Sequence, residues 1–120
     1  MDKNTKMKSR EFAAKVVYLH KQLTARRKES VMSEELLRSG AGVGAELSKA
    51  ASALSNNDRI AKVYSALQNC AEAKYWLELL NDTEYVTEFE FNDTLKSCDE
   101  LGKLLIEQIK SLKPKNVLRT

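Results

Sequence analysis

The stretch "LLRSGAGVGAELSKA", residues Leu36 to Ala50, places Gly40, Gly42 and Gly44 within one short segment. Glycines at this density either surround a phosphate or let helices pack closely. A dinucleotide site needs a strand followed by G-x-G-x-x-G, so that backbone N–H groups face the pyrophosphate. Here the third glycine comes one residue early, and the preceding "SEELLRS" has a helical pattern. No Lys-Ser/Thr pair follows, as a P-loop requires, so the sequence argues against nucleotide binding.

Helical packing explains this stretch better. A core register with alternating spacings of four and three is formed by Leu36, Gly40, Val43, Leu47, Ala50 and Leu54. A second stripe of mostly small residues runs beside it: Leu37, Ala41, Gly44, Ser48, Ala51 and Ser55, widened by Gly42, Ala45 and Ser52. Each glycine inside a helix costs about 1 kcal/mol relative to alanine. Their presence therefore indicates close backbone approach, either within a bundle or across a subunit interface.

Periodicity predicts an all-α chain with helices over about 9–28, 31–55, 58–81 and 88–112. The first carries the stripe Phe12, Val16, Leu19 and Leu23. The second has Ser30 or Ser33 as its expected N-cap, the third has Asn56 or Asn57, and the fourth has a Thr87/Glu90 capping box. Short loops make consecutive helices antiparallel neighbours, which predicts an up-down-up-down four-helix bundle in a single domain, residues 1–120. The alternative is a long helical hairpin that closes its core only by oligomerising.

Composition narrows the class of protein further. No apolar run approaches the roughly 20 residues needed to cross a bilayer. The N-terminus lacks the apolar segment of a signal peptide, so we expect a cytoplasmic protein with no membrane partner. Cys70 and Cys98 lie in apolar helical patterns without the spacing of a zinc site or a disulfide framework. We interpret both as reduced core residues.

The third helix, "SALQNCAEAKYWLELL", is apolar on nearly every face, whereas a helix in a monomeric bundle buries one face. This favours a homo-oligomer, although Tyr75 and Trp76 could instead cover one end of the bundle. The predicted oligomer or close-packing interface comprises Ala41, Gly42, Gly44, Ala45, Ser48, Tyr75 and Trp76.

No residue pattern indicates catalysis. His20 has no nucleophile beside it in sequence, and a di-iron bundle would need a second histidine. Arg38 and Glu72 are the predicted buried polar residues, and Glu72, inside an apolar helix, is expected to pair with Arg38 or a neighbouring subunit. We therefore predict a protein that is not an enzyme, with no catalytic or metal-binding residues, no cofactor and no small-molecule substrate.

The net charge of +3 is unevenly spread, since residues 1–29 carry nine Lys/Arg against three Asp/Glu. In an up-down-up-down bundle, the first helix starts where the fourth ends. The predicted polyanion-binding residues at this basic end are Lys3, Lys6, Lys8, Arg10, Lys49, Arg59, Lys62, Lys110, Lys113, Lys115 and Arg119. A ring of subunits would multiply this charge, but lysine-rich termini are also common as solvated tails.

"LLRSGAGVGAELSKA", followed by "CAEAKYWLELL", resembles the signature of the bacterial four-helix bundle proteins, also called the 23S ribosomal RNA intervening-sequence proteins. The resemblance spans about residues 30 to 81. Matching positions are Leu37, Arg38, Ser39, Gly40, Gly44, Ala45, Ala50, Glu72, Trp76 and Leu77. The chain departs from the pattern at Gly42, where Ser is usual, at Glu46, where Asn is usual, and at Lys49, where Glu is usual. Glu46 and Lys49 are spaced to form an i,i+3 ion pair.

The resemblance implies a four-helix protomer that forms a ring, a homopentamer. It also implies similarity to the accessory protein of diversity-generating retroelements, a basic pentameric barrel that works with a reverse transcriptase and binds nucleic acid. Two hypotheses follow. The protein is a scaffold that binds RNA, DNA or a reverse-transcriptase-like protein through its basic end, or it is a protein-binding scaffold with no nucleic-acid role.

Overall fold

The computed structural model describes residues 2–113, which form helices and no strands. The four helices are α1 (Lys3–Gln22, continued by a π-helical turn over Leu23–Arg27), α2 (Val31–Ala51), α3 (Asn56–Asp82) and α4 (Glu88–Leu112). The four predicted helices are confirmed, and differences are confined to their ends.

The first helix begins at Lys3 rather than near Ser9, because Asp2 caps it. The Asp2 carboxylate accepts a hydrogen bond from the Thr5 backbone N–H at 2.7 Å. That hydrogen bond also holds the pKa of Asp2 below its usual range. In α3 the N-cap is Ser55, rather than Asn56 or Asn57, and its side chain accepts from the backbone N–H of Asp58.

The N-cap of α2 also differs from the prediction. Ser30 occupies the N-cap position but makes no side-chain hydrogen bond there. Glu29 serves instead, since its carboxylate accepts from the backbone N–H groups of Met32 at 2.5 Å and Ser33 at 3.3 Å. The turn is set by Lys28, whose φ of 56° is left-handed and brings the chain back over α2. Glu29 is consequently buried, with 6% of its surface exposed.

At the start of α4, the predicted capping box is confirmed. The Thr87 backbone N–H donates to Glu90 Oε1 at 2.9 Å, and the Glu90 N–H donates to Thr87 Oγ1 at 3.1 Å. These reciprocal bonds satisfy two backbone donors that a helix start otherwise leaves unpaired.

Each helix packs against the next, and α1 packs against α4, which closes a four-helix bundle around one core. The α1–α4 contact carries two ion pairs, Lys15 to Asp93 at 3.2 Å and Lys8 to Glu100 at 3.6 Å. Residue numbers rise along α1 as they fall along α4, so the two helices are antiparallel. The largest fully buried side chains include Phe12, Val16, Leu36, Leu77, Leu101 and Leu105.

One predicted core residue lies outside the core. Leu54 is fully exposed because α2 ends at Ala51. Arg59 helps to end the helix there, donating from Nε to the Ala50 carbonyl at 3.2 Å and from Nη2 to the Ala53 carbonyl at 3.1 Å. The carbonyls after the last helical turn thus receive a partner from α3, and the chain turns before Leu54 can reach the core.

Cys70 and Cys98 are free thiols in the core, as predicted. Among the described residues, no helix is long and apolar enough to cross a membrane.

Candidate assembly face and basic end

Two of the three glycines of α2 are packed against other helices of the same chain. A Cβ on Gly40 would lie 3.0 Å from Val16 Cγ2 of α1, and one on Gly42 would lie 3.0 Å from Asn69 Nδ2 of α3. Both distances are shorter than ordinary van der Waals contact. Gly40 and Gly42 therefore let α2 approach its neighbours inside the bundle, so the close contact of Gly42 lies within the chain.

Gly44 is different. The nearest atom to a Cβ at this position would be Ser9 Oγ at 3.9 Å, an ordinary contact. Gly44 lines a groove of about 460 Å³ between α1 and α2, together with Lys6, Ser9, Arg10, Leu47, Ser48 and Ala51. Ala41 and Ala45, next to the groove, and Ser48, in its lining, are exposed. We call Ala41, Gly44, Ala45 and Ser48 the small-residue face. Within residues 2–113, no neighbouring atom requires a glycine at position 44.

The burial of two polar residues of α1, Thr5 and Ser9, was not predicted from the sequence, and Ser9 also lines this groove. Ser9 is buried, and its hydroxyl donates to the Lys6 carbonyl at 2.8 Å. Thr5 is buried as well. A signal for both was present, because Thr5 and Ser9 continue the stripe of Phe12 toward the N-terminus at helical spacing. Because both side chains are polar, a search for apolar periodicity does not include them.

A polar cluster joins α2 to α3. Arg38 Nη2 donates to Glu35 Oε2 at 3.0 Å and also to Glu72, and Trp76 Nε1 donates to Glu72 Oε2 at 3.0 Å. Hydrogen bonding to Glu35, and then to Glu72, raises the pKa of Arg38. The predicted pairing of Glu72 with Arg38 is confirmed.

The prediction that Arg38 and Glu72 are buried is wrong for the single chain. Their side chains are 55% and 37% exposed. Each lies two positions after a core residue, Leu36 in α2 and Cys70 in α3, so each points to the rim of the bundle rather than to its interior. At this exposure, solvent screens the ion pair, so its contribution to stability is small.

Beside this cluster lies an aromatic pair. The rings of Tyr75 and Trp76 are 5.0 Å apart in an edge-to-face arrangement. Trp76 packs partly against the core, whereas Tyr75 is exposed. Tyrosine, tryptophan and arginine are the residues most enriched where protein partners bind tightly. This flank of α3, with Arg38 next to it, is therefore a second surface suited to a partner.

The basic end is the end of the bundle where α1 starts and α4 finishes. Its lysines and arginines fall into two groups. Those that form no ion pair within residues 2–113 are Lys3, Lys6, Arg10, Lys62, Lys110 and Lys113. Lys115 and Arg119 lie outside the described residues.

Other predicted members of the basic end already have partners. Lys8 pairs with Glu11 at 3.7 Å and with Glu100 at 3.6 Å. Lys49 pairs with Glu46 at 3.1 Å, and Arg59 donates to the carbonyls at the end of α2. The charge available to a polyanion is consequently concentrated on the first turns of α1 and the last turn of α4.

His20 takes part in a hydrogen-bond network with Ser33 and the Glu29 carbonyl. Its Nδ1 lies 3.0 Å from Ser33 Oγ, and the Ser33 hydroxyl also lies 3.2 Å from the Glu29 carbonyl, to which it donates. Ser33 is fully buried, so its hydroxyl is closed to solvent. The network ties α1 to the start of α2. Within residues 2–113, no cluster of three or more His, Cys, Asp or Glu side chains is placed to hold a metal ion.

Sequence comparison supports the family resemblance directly. The profile of the 23S rRNA-intervening sequence proteins matches residues 2–107. The chain belongs to the 23S rRNA-intervening sequence protein family.

A solved structure extends the comparison. The crystal structure of a protein of unknown function from the S23 ribosomal protein family of Bacteroides thetaiotaomicron is 44% identical in sequence, with a TM-score of 0.87. The match covers 88% of this chain and 98% of that chain. No curated protein matches the chain.

The residues that fit the family signature of the 23S rRNA-intervening sequence proteins have physical roles in the bundle. Ser39 is fully buried, and its hydroxyl donates to the Glu35 carbonyl at 2.8 Å. Gly40 contacts Val16, and Leu77 is fully buried in the core. These three positions of the signature therefore contribute to packing within and between the helices.

Two departures from that signature compensate each other. Lys49 Nζ and Glu46 Oε1 are 3.1 Å apart on α2, so the predicted i,i+3 pair is confirmed. Such a pair contributes a few tenths of a kcal/mol, roughly 0.2–0.5.

Proposed function

We propose that this 23S rRNA-intervening sequence family protein is a non-enzymatic helical scaffold that forms a homo-oligomeric ring. Its basic end binds structured RNA or DNA, or an enzyme that acts on them. The observation that carries the proposal is Gly44, a glycine inside a helix that no neighbouring atom within residues 2–113 requires.

The argument for assembly is energetic. A glycine in a helix interior costs about 1 kcal/mol relative to alanine, and close approach of another backbone is the natural offset. Gly40 and Gly42 are closely approached by side chains of neighbouring helices inside the bundle, but Gly44 faces a groove. Ala41, Ala45 and Ser48 extend the same surface with short, exposed side chains. A helix from a second copy can therefore approach α2 closely along the small-residue face. A homopentamer is the assembly that the family resemblance implies.

The argument for polyanion binding is electrostatic. Lys3, Lys6 and Arg10 follow one another along the first turns of α1, and Lys110 and Lys113 lie on the last turn of α4 and just after it. Cyclic symmetry would set the same end of every subunit on one side of the ring, which multiplies the positive field. Phosphates bound there would release counterions, so binding would be strongly dependent on salt.

Assembly is tested with Gly44→Leu. We expect this variant to lose its oligomer while the chain stays folded, since a Cβ at position 44 would meet Ser9 Oγ at 3.9 Å and, apart from the adjoining backbone of its own helix, no other atom of the described residues within 4 Å. The measurements are native mass spectrometry, which counts the copies, and circular dichroism, which checks helix content.

Two controls accompany this experiment. Asn92→Leu places the same side chain on an exposed position of α4 and should leave the assembly intact. Gly44→Ala should weaken the assembly, whereas in an isolated helix it would add about 0.5–1 kcal/mol of stability. If Gly44→Leu retains the wild-type oligomer, the small-residue face is not the interface. A wild-type protein that is monomeric would contradict the assembly proposal as a whole.

Polyanion binding is tested by measuring the affinity for a labelled structured RNA and a duplex DNA across a salt series. We expect log affinity to fall linearly with log salt, with a slope of about −0.9 for each phosphate engaged on duplex DNA. The variant Lys3→Glu/Lys110→Glu/Lys113→Glu should bind weakly and with a shallower slope. These three lysines lie outside the lining of the Gly44 groove, so assembly should survive.

The matched control reverses the same number of charges at the opposite end of the bundle, at Lys21, Arg26 and Lys28, which are all exposed. Its net charge equals that of the first variant, so a difference between the two isolates position from total charge. An equal loss of affinity in the two variants would indicate that nucleic acid binds to the overall positive charge and not to the basic end. No binding by the wild type at low salt would remove the nucleic-acid part of the proposal.

A second candidate function is a scaffold for protein partners alone. The observation in its favour is the exposed surface formed by Tyr75, Trp76 and Arg38. Under this alternative, Tyr75→Ala abolishes partner binding, and the charge reversals at the basic end leave it unchanged.

A further inference from the structure

The two thiols of the chain face each other between α3 and α4. Cys70 Sγ and Cys98 Sγ are 3.5 Å apart, near the middle of both helices. Each sulfur also lies 3.4 Å from the backbone carbonyl oxygen of the other cysteine. A disulfide has an S–S distance of about 2.05 Å, so the sulfurs need to approach by roughly 1.5 Å to bond.

The pair is buried but lies directly beneath the surface. A groove of about 390 Å³ runs along the α3–α4 contact, and both cysteines contribute to its lining with Ala71, Lys74, Gly102 and Ile106. Gly102 carries no side chain over the thiols. A Cβ at this position would lie 3.9 Å from Cys70 Sγ. A small oxidant in the groove therefore reaches Cys70 past Gly102.

The two thiols differ in acidity. The hydrogen bond with Cys98 lowers the pKa of Cys70, and the positive charge of Lys74 acts in the same direction, against the opposing effects of burial and Asp99. The same hydrogen bond, together with burial, raises the pKa of Cys98. Because the thiolate is the nucleophile and the opening at Gly102 lies against Cys70 Sγ, Cys70 is the thiol that reacts first.

We infer that Cys70 and Cys98 are a redox pair that hydrogen peroxide converts to an intramolecular disulfide joining α3 to α4. The Cys70 thiolate attacks one peroxide oxygen, the O–O bond breaks, and the departing hydroxide takes up a proton to leave as water. Cys70 is then a sulfenic acid. Cys98 attacks its sulfur, the S–O bond breaks, and the proton of the Cys98 thiol passes to the departing hydroxide, which leaves as a second water. Overall the two thiols lose two protons and two electrons, and the peroxide is reduced to two waters.

This inference goes beyond the scaffold function and is independent of it. In the reduced protein, α3 and α4 are held together by non-covalent contacts, namely side-chain packing and an ion pair between Lys74 and Asp99 at 3.1 Å. Oxidised, they are joined covalently at their midpoints, and a thiol such as dithiothreitol reverses the bond by exchange.

The test uses the folded full chain and hydrogen peroxide as the probe, followed by alkylation, thiol titration and intact mass spectrometry. We expect both thiols to disappear together, with a mass lower by that of two hydrogen atoms. The product should remain a single chain on non-reducing electrophoresis, and dithiothreitol should restore both thiols. In Cys98→Ser, a sulfenic acid should accumulate on Cys70 and be trapped by dimedone. Cys70→Ser should react far more slowly.

Access through the groove is tested with Gly102→Val. Its side chain covers Cys70 Sγ, and we expect oxidation to be about tenfold slower because thiol reactivity depends on access. Gly102→Ala is the graded control, with a smaller effect. The inference is overturned if the wild-type thiols survive peroxide that oxidises free glutathione, or if the disulfide forms only between chains. It is also overturned if oxidation proceeds only at the rate of global unfolding, with Gly102→Val no slower than wild type.

Discussion

Replacing Gly40 with leucine is expected to destabilise the chain by about 3 kcal/mol or more, the upper range for overpacking a core. A Cβ at this position would lie 3.0, 3.1 and 3.3 Å from Cγ2, Cγ1 and Cβ of Val16. Val16 is fully buried and β-branched, so it has neither the space nor the rotamer freedom to move aside. Urea unfolding followed by circular dichroism measures the loss.

A double-mutant cycle tests whether contact with Val16 causes this loss of stability. Val16→Ala removes both methyl groups that the new side chain would meet, so Gly40→Leu should cost less in the Val16→Ala background than in the wild type. Chain concentration is held constant, since assembly adds to apparent stability. Additive effects of the two substitutions would show that α1 and α2 do not meet at this pair.

Replacing Glu29 with alanine is expected to have the second largest effect, about 2 kcal/mol of lost stability. The substitution leaves the backbone N–H groups of Met32 and Ser33 without their acceptors. Ser33 is fully buried, so water does not readily replace the lost bond. Glu29→Gln retains one acceptor oxygen and should lose less. Thermal and urea unfolding measure both variants.

Ser30→Ala is the matched control for this experiment. Ser30 occupies the N-cap position by sequence and backbone, but its side chain makes no cap hydrogen bond. Its replacement should therefore change stability by less than about 0.5 kcal/mol. If Ser30→Ala costs as much as Glu29→Ala, the serine is the true cap and Glu29 has only a packing role.

The sequence was sufficient for the helices and for most of the core, because periodicity reports burial directly. Phe12, Val16, Leu19 and Leu23 are all buried, as their spacing predicts. The residues at which helices begin and end were harder to predict, since they depend on single hydrogen bonds. Glu29 lies outside the residue types favoured at N-caps, and only the left-handed turn at Lys28 brings it over α2.

The candidate site could be predicted only in part. The three glycines of α2 look alike in sequence, yet Gly40 meets α1, Gly42 meets α3, and Gly44 faces a groove. Spacing gives the angle of each residue around its own helix but not the distance to the neighbouring helix. For the same reason, the pairing of Arg38 with Glu72 was predicted correctly from the sequence, but the prediction that both side chains are buried was wrong.

The closed bundle also has a consequence for the order of folding. Three of its helix–helix contacts join segments that follow one another along the chain, so they form at a small cost in loop entropy. The α1–α4 contact is the exception, since Lys15 and Asp93 are 78 positions apart. Closing so long a loop costs more entropy than joining adjacent helices, and contacts of large sequence separation slow folding. We expect the three contacts between successive helices to form first, with the α1–α4 contact forming last and separating first on unfolding.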